Sequence, residues 1–321
     1  MIKVGIIGGA GYTAGELIRL LVLHSEVKLV SVVSRSHSGK AISTAHPDLT
    51  GWTELNFSED IHHDPDIVFL CSGHGKSREV LETFSIPKHS KIVDLSADFR
   101  HKADENKFVY GLPELNRNSI KKAQFVANPG CFATCIQLSM LPLAAHSLLN
   151  QDIHVSAITG STGAGQSPTA TTHFSWRSNN ASVYKAFTHQ HLKEIKESVS
   201  QLQPNFTQDV HFIPMRGAFT RGILAAVYLK SDLSSDHAKA LYSEYYFEHP
   251  FVSVVDQNLD VKSVVNTNRA LLSIQKEGEQ LLITGVIDNL LKGASGQAVQ
   301  NMNLMFGLEE TTGLQLKPSA F

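Results

Sequence analysis

The hydrophobic rhythm of the chain changes near residue 150. Before that point, short apolar runs alternate with glycine-rich turns and stretches of helical periodicity. Residues 2–7, 27–33, 66–71 and 91–95 read as strands, and the continuous apolar run Asp-Ile-Val-Phe-Leu-Cys at 66–71 fits a strand buried on both faces of a parallel sheet. Helices are expected at 16–24 and 79–84. Another apolar run at 125–127 stops at Pro129-Gly130 and leads into a segment of helix formers, 131–141. From residue 153 onward the strands are longer and more alternating, and crossover helices are scarce. The candidates are 153–159, 209–214, 223–229, 251–255, 270–275 and 280–287, with helices at 189–203 and 234–247. Such a run of strands predicts an α+β second domain with a mostly antiparallel or mixed sheet. A last helix within 295–306 is expected to return to the first domain. The domains are therefore expected at 1–130 with 290–321, and at 131–289.

The first strand runs into Gly8-Gly9-Ala10-Gly11-Tyr12-Thr13-Ala14-Gly15 and then a helix. Glycines there allow a tight turn and let backbone N–H groups approach a pyrophosphate at the helix N-terminus. The order strand, glycine turn, helix makes the first domain a Rossmann-type α/β nucleotide-binding domain with a parallel sheet. Chains that hold NAD place Asp or Glu after the second strand, on the ribose hydroxyls. Here residues 28–42 contain no acid; Ser34, Arg35, Ser36 and Lys40 stand there instead. A 2′-phosphate suits them, so NADP(H) is the expected cofactor. The loop Ser72-Gly73-His74-Gly75 also lies at a strand's carboxyl end, where cofactors bind in open sheets.

Length and composition narrow the class further. At 321 residues two domains are expected, and 42% apolar with 18% charged residues is ordinary for a globular protein. Twenty-eight basic and 30 acidic residues leave a net charge of −2, without a nucleic-acid or membrane footprint. No apolar run approaches the roughly 18 residues of a membrane span. The start, MIKVGIIGG, reads as a strand rather than a signal peptide. Three cysteines, Cys71, Cys131 and Cys135, are too few for a disulfide framework, so a reduced, cytoplasmic protein is expected.

Cys131 is the candidate nucleophile. A cysteine on the first turn of a helix meets unpaired N–H groups and the positive end of the dipole, which favour thiolate and move its pKa from about 8.5 toward neutrality. The alternative is a buried structural cysteine. A thiolate needs a proton-handling neighbour, and His189 or His191 of His189-Gln190-His191 is the natural candidate. Gly160-Ser161-Thr162-Gly163-Ala164-Gly165 is a run of small residues able to offer N–H groups to an anion. Arg100, after the fourth strand, could clamp a carboxylate or phosphate, or pair with Asp94 or Asp98. No second cluster accompanies His-x-His at metal-ligand spacing, so no metal is expected. A redox-sensing NADP-binding protein and a Cys-His hydrolase remain as other classes.

The chain resembles the N-acetyl-gamma-glutamyl-phosphate reductase family of arginine biosynthesis over essentially its whole length. The motifs are GGAGYTAGEL at 8–17, DLSADFR at 94–100, YGLPEL at 110–115 and NPGCFAT at 128–134. They continue with GSTGAG at 160–165, THQHLKEI at 188–195, FIPMRG at 212–217 and DNLLKGASGQAVQNMNLMFG at 288–307. Aspartate-semialdehyde dehydrogenase is similar but more distant. The resemblance implies NADPH-dependent reduction of an acyl phosphate to a semialdehyde through an acylated Cys131, with His189 as acid/base. It implies Arg100, Ser161, Thr162, Gly163, His191 and Arg216 around the substrate. Gly8, Gly11, Tyr12, Thr13, Ala14, Ser34, Arg35 and Asn289 are implied around the cofactor. Small-molecule substrate and phosphate are the implied ligands, in a homodimer or homotetramer. The same chemistry on an N-succinyl-glutamyl or aspartyl phosphate is the alternative. The chain departs from the family pattern at Cys71-Ser72-Gly73, at Gln190 and at Leu192-Lys193.

Overall fold

The structure, a computed structural model, describes residues 1–319. In chain order its elements are β1 (Ile2–Ile7), α1 (Tyr12–Leu21), β2 (Val27–Val33), β3 (Ile67–Leu70), α2 (Ser77–Thr83), β4 (Lys91–Asp94), β5 (Val109–Tyr110), α3 (Pro113–Lys122) and β6 (Phe125–Ala127). There follow α4 (Cys131–Ala145), β7 (Ile153–Thr159), α5 (Phe174–Arg177), β8 (Ser182–Val183), α6 (His191–Leu202), β9 (Val210–Arg216) and β10 (Ile223–Lys230). The chain ends with α7 (Ser235–Tyr245), β11 (Val252–Val254), β12 (Ala270–Glu277), β13 (Gln280–Ile287) and α8 (Ser295–Met305). Two compact units emerge: Met1–Pro129 with Ala294–Gln315, and Gly130–Gly293 with the described tail from Leu316.

The first unit is built on a six-stranded sheet in the order β2-β1-β3-β4-β6-β5, parallel at every pairing. All four residues of β3 are buried, as its unbroken apolar sequence requires. Helix α1 buries Ala14, Leu17, Ile18 and Leu21, one stripe of a helix. It starts at Tyr12, ahead of the apolar signal at residue 16, because the small Ala14 and Gly15 carry its inner face there. Gly15 is needed for that packing: a Cβ on it would lie 2.6 Å from the His46 ring. Helix α3 has few apolar residues and was not visible in the pattern; α8 packs on it and on α1. The turn-rich reading of residues 110–114 is corrected accordingly: Pro113 occupies the first turn of α3.

The second unit has a seven-stranded mixed sheet, β11-β12-β13-β10-β7-β9-β8. β12/β13, β13/β10, β10/β7 and β8/β9 are antiparallel, and β11/β12 and β7/β9 are parallel. Alternation is clean in β7, whose odd residues Ile153, Val155 and Ala157 are buried and whose even ones are half-buried. Helix α4 is buried from Phe132 to Ala144, apolar nearly all round, and is the centre of this unit's core. It runs past Pro142, where the sequence had it stopping at 141. A proline there leaves the Leu138 carbonyl without its helical donor. The Tyr246 hydroxyl supplies one at 2.6 Å, and the Tyr242 hydroxyl donates to the neighbouring Ser139 carbonyl.

Candidate active site

In the first unit the glycine turn and the end of β2 frame a cavity of about 340 Å³. It is lined by Gly8, Ser34, Arg35, Ser36, Ser72, Lys76, Glu79 and Phe84, among others. Gly8 has φ +85°, and a Cβ there would fall 2.6 Å from the Cys71 carbonyl carbon. The turn can exist only with glycine at that position. Gly8 and Gly9 N–H groups both donate to the Val33 carbonyl, which fixes the turn beside β2. Arg35 lies over the Phe84 ring, 4.7 Å from its centroid. This side-chain-free cradle beside a cation fits a dinucleotide with a phosphorylated ribose. Of the other residues assigned to the cofactor, Ala14 is fully buried, and the Thr13 carbonyl accepts from the Ser295 hydroxyl. Gly11 is the residue before α1, and Tyr12 is exposed on its first turn.

The loop after β4 is knitted to the loop after β3. Asp94 is fully buried, and desolvation holds its carboxyl above the usual range although the Ser77 and Ser96 hydroxyls donate to it at 2.6 and 2.7 Å. Asp98 accepts from the Gly75 and Ser77 N–H groups at 2.6 and 2.9 Å. Arg100 is buried and donates to the backbone carbonyls of Asn128, at 2.8 Å, and Leu95, at 3.0 Å. Its guanidinium thereby anchors the strand end that precedes the Pro129-Gly130 turn.

In the second unit Cys131 is the first residue of α4, with Gly130 as its N-cap, where the sequence had set it. The buried Glu194 of α6 accepts the Gly130 N–H at 3.0 Å, and its other oxygen lies 3.9 Å from His191 Nε2. Gly130 is indispensable, since any Cβ would run into the His191 ring. A Cβ on Gly293 would likewise come 2.8 Å from that of Cys131. The His189 and His191 rings meet edge to face at 4.5 Å. His189 is 4% exposed, enclosed by Phe132, Tyr184 and Phe212. Burial pushes its pKa down to about 4, Lys185 adds to the fall, and Glu194 opposes it. The His191 N–H donates to His189 Nδ1 at 3.2 Å, so the neutral ring carries its proton on Nε2. Of the other cysteines, burial drives the Cys71 thiol up to about 12 and raises that of Cys135 as well. Cys131, like Cys71, is half-buried, and Cys135 is buried.

Arg216, at the end of β9, lies 4.7 Å over the Tyr184 ring. Its Nε is buried without a partner among the described residues. The buried Arg177 holds this strand end in place by donating to the Arg216 carbonyl at 2.6 Å. The Gly160-to-Gly165 loop differs from the expected open nest of N–H donors. The Ser161, Thr162, Gly163 and Gly165 N–H groups are taken by the carbonyls of Phe219, Thr220, Gly160 and Thr162, because the loop packs on the β9–β10 turn. The Ser161 hydroxyl remains without a partner among the described residues. The Asn289 amide donates to Thr162 Oγ1 and its oxygen accepts the Gly222 N–H, so it buttresses this loop.

Sequence reasoning passed over Tyr184, Arg177, Lys76 and the structural part of Glu194, and weighed Asp98 only as a partner of Arg100. Tyr184, Arg177, Asp98 and Glu194 matter through partners distant in sequence. Among the described residues no three His, Cys, Asp or Glu side chains are grouped to hold a metal ion, and no helix is long and apolar enough to cross a membrane.

The chain is similar to known proteins. Residues 3–123 match the family model described as semialdehyde dehydrogenase, NAD binding domain, and residues 131–289 match semialdehyde dehydrogenase, dimerisation domain. The N-acetyl-gamma-glutamyl-phosphate reductases of Christiangramia forsetii and Phocaeicola vulgatus are 58% and 56% identical, over 100% of each chain. Among solved structures, aspartate semialdehyde dehydrogenase with NADP from Candida albicans superposes with a TM-score of 0.73 at 13% identity, over 95% of this chain and 99% of that one. Aspartate semialdehyde dehydrogenase II from Vibrio cholerae gives 0.71 at 14% identity, over 96% and 98%. At such identities these structures establish the fold, whereas the full-length reductases establish the family. With a parallel nucleotide-binding sheet, a mixed second sheet and Cys131 opening its central helix, the chain belongs to the N-acetyl-gamma-glutamyl-phosphate reductase family of semialdehyde dehydrogenases.

Proposed function

We propose that this chain reduces N-acetyl-gamma-glutamyl phosphate to N-acetyl-glutamate 5-semialdehyde with NADPH, releasing phosphate, as a step of arginine biosynthesis. The observation that carries the reading is Cys131 at the head of α4, in the same unit as the buried His189–His191–Glu194 group and the unpartnered donor of Arg216. The Cys131 thiolate attacks the acyl carbon, a carbon–sulfur bond forms, and the carbon–oxygen bond to phosphate breaks with its electron pair leaving on phosphate. Arg216 and the Ser161 hydroxyl are the groups we assign to the anionic parts of the substrate. When bound in the cavity of Gly8, Ser34 and Arg35, NADPH supplies the hydride that reduces the thioester. The Nε2–H of neutral His189 suits the oxygen that becomes anionic at that stage, and collapse of the oxyanion returns the sulfur of Cys131 as thiolate. A proton taken from the Cys131 thiol enters at Nδ1, at the expense of the bond from the His191 N–H. Arg100 supports the turn before Cys131 rather than touching the reacting atoms.

Residues 131–289 carry a domain described as one of dimerisation, and we assign the enzyme to a homodimer or homotetramer in the cytoplasm. A steady-state assay with N-acetyl- and N-succinyl-glutamate semialdehyde, NADP and phosphate tests the function. Phosphate-dependent reduction of NADP with the N-acetyl substrate is expected. Preference for the N-succinyl compound or for aspartate semialdehyde would reassign the substrate, and NADPH binding without turnover would make the chain a sensor.

A further inference from the structure

The cofactor cavity carries two cations, of which the sequence revealed one. Arg35 lies over the Phe84 ring and forms part of the wall. Lys76 also lines the cavity, with its Nζ 3.7 Å from Glu79 Oε2, and both of these side chains are more than 60% exposed. An ion pair so exposed is weak and readily exchanged. The backbone beneath Lys76 is anything but loose. The N–H groups of its two neighbours, Gly75 and Ser77, both donate to Asp98, the Ser77 hydroxyl donates to buried Asp94, and the Ala97 N–H donates to His74 Nδ1. Lys76 is thus a flexible cation on a clamped base, with the Ser34 and Ser36 hydroxyls also on the cavity wall.

The two nicotinamide dinucleotides differ only at one ribose oxygen, which bears a phosphate or a hydroxyl. A doubly charged phosphate outcompetes one exposed carboxylate for an ammonium, and a ribose hydroxyl does not. We propose that Lys76 is a second specificity determinant for the 2′-phosphate, with Glu79 as the counterion it leaves when the phosphate arrives. The proposal rests on the NADP reading of the cavity.

Calorimetric titration of the full chain with 2′,5′-ADP and with 5′-AMP separates the two ideas without turnover. Lys76→Gln is expected to weaken 2′,5′-ADP about tenfold while 5′-AMP stays within about twofold. Glu79→Gln is expected to tighten 2′,5′-ADP about threefold, because the competing carboxylate is gone. An unchanged ratio of the two affinities in Lys76→Gln overturns the proposal, as does an equal loss for both probes. If the unsubstituted chain itself fails to prefer 2′,5′-ADP, the NADP reading fails and the proposal falls with it.

Discussion

His189 is almost wholly enclosed by aromatic rings, and an imidazolium there lacks the solvation that water gives it. Its pKa of about 4, against 6.5 for a free histidine, makes a statement about stability. Between those values the unfolded chain binds a proton that the native one does not. The contribution of His189 is therefore complete above pH 6.5, falls as the pH drops toward 4, and changes no further below that. The span is of the order of 3 kcal/mol. Urea unfolding at pH 7, 5 and 4 should show a shallower loss for His189→Asn than for the unsubstituted chain. The same variant should lose about 10²–10⁴-fold in turnover with NADPH binding nearly intact. Wild-type turnover in it would remove His189 from the mechanism. Arg35→Ala should weaken NADPH by about 1.5–3 kcal/mol, as for a hydrogen bond to a charged group, with NADH hardly altered. Equal losses would mean that Arg35 acts by propping Phe84. Cys131, His189 and Arg35 were legible because each stands in a local pattern of turn, helix start or strand end. Tyr184 and Arg177 were not, since their significance lies in Arg216, roughly 30 to 40 residues on, beyond the whole of α6.

Helix α4 carries Cys131 at its head, and its far end depends on the side chain of Tyr246, the residue that follows α7. Without the Tyr246 hydroxyl the Leu138 carbonyl is buried beside Pro142 with its donor lost. Tyr246→Phe should lower unfolding stability by about 1–3 kcal/mol, the range for an orphaned buried acceptor, measurable as a shift of the urea midpoint at constant slope. No change would mean that another group satisfies the carbonyl. The longer strands of both sheets were legible to within a residue or two, since their apolar runs are bounded by turns, whereas the two-residue edge strands β5 and β8 are too short to show any alternation. The end of α4 was not, because proline reads as a stop unless its missing hydrogen bond is replaced from outside the helix. Helix α3 was hidden for the opposite reason, as a mostly polar surface helix with little periodicity to detect. The Gly160-to-Gly165 loop was legible in position and not in chemistry. Its N–H groups looked available until the β9–β10 turn was seen to take them.

At the scale of the molecule, the cavity beside the glycine turn belongs to one unit, and Cys131 with the His189–His191 pair belongs to the other. The second sheet also has a face turned away from α4. On it His154 stacks with His211 and Tyr228, at 5.0 and 5.1 Å between ring centroids, and the three line a shallow cavity with Phe187 and Ile213. An uncovered apolar and aromatic face of that kind suits a subunit contact. Tyr228→Glu, a charge at its centre, should shift the assembly toward monomers in sedimentation analysis, and an unchanged assembly would move the contact elsewhere. The two-domain architecture and the two kinds of sheet were readable from the change in rhythm near residue 150. Half-buried alternation gives no such signal for this face, because it looks the same in front of water as in front of a partner. Incubation with N-acetyl-gamma-glutamyl phosphate in the absence of NADPH, followed by mass spectrometry of the proteolysed chain, probes the covalent step itself. The N-acetyl-glutamyl group is expected on the peptide containing Cys131 and absent from Cys131→Ser, which should bind NADPH but not turn over. An unmodified Cys131 in an active enzyme, or full activity in Cys131→Ser, would contradict it.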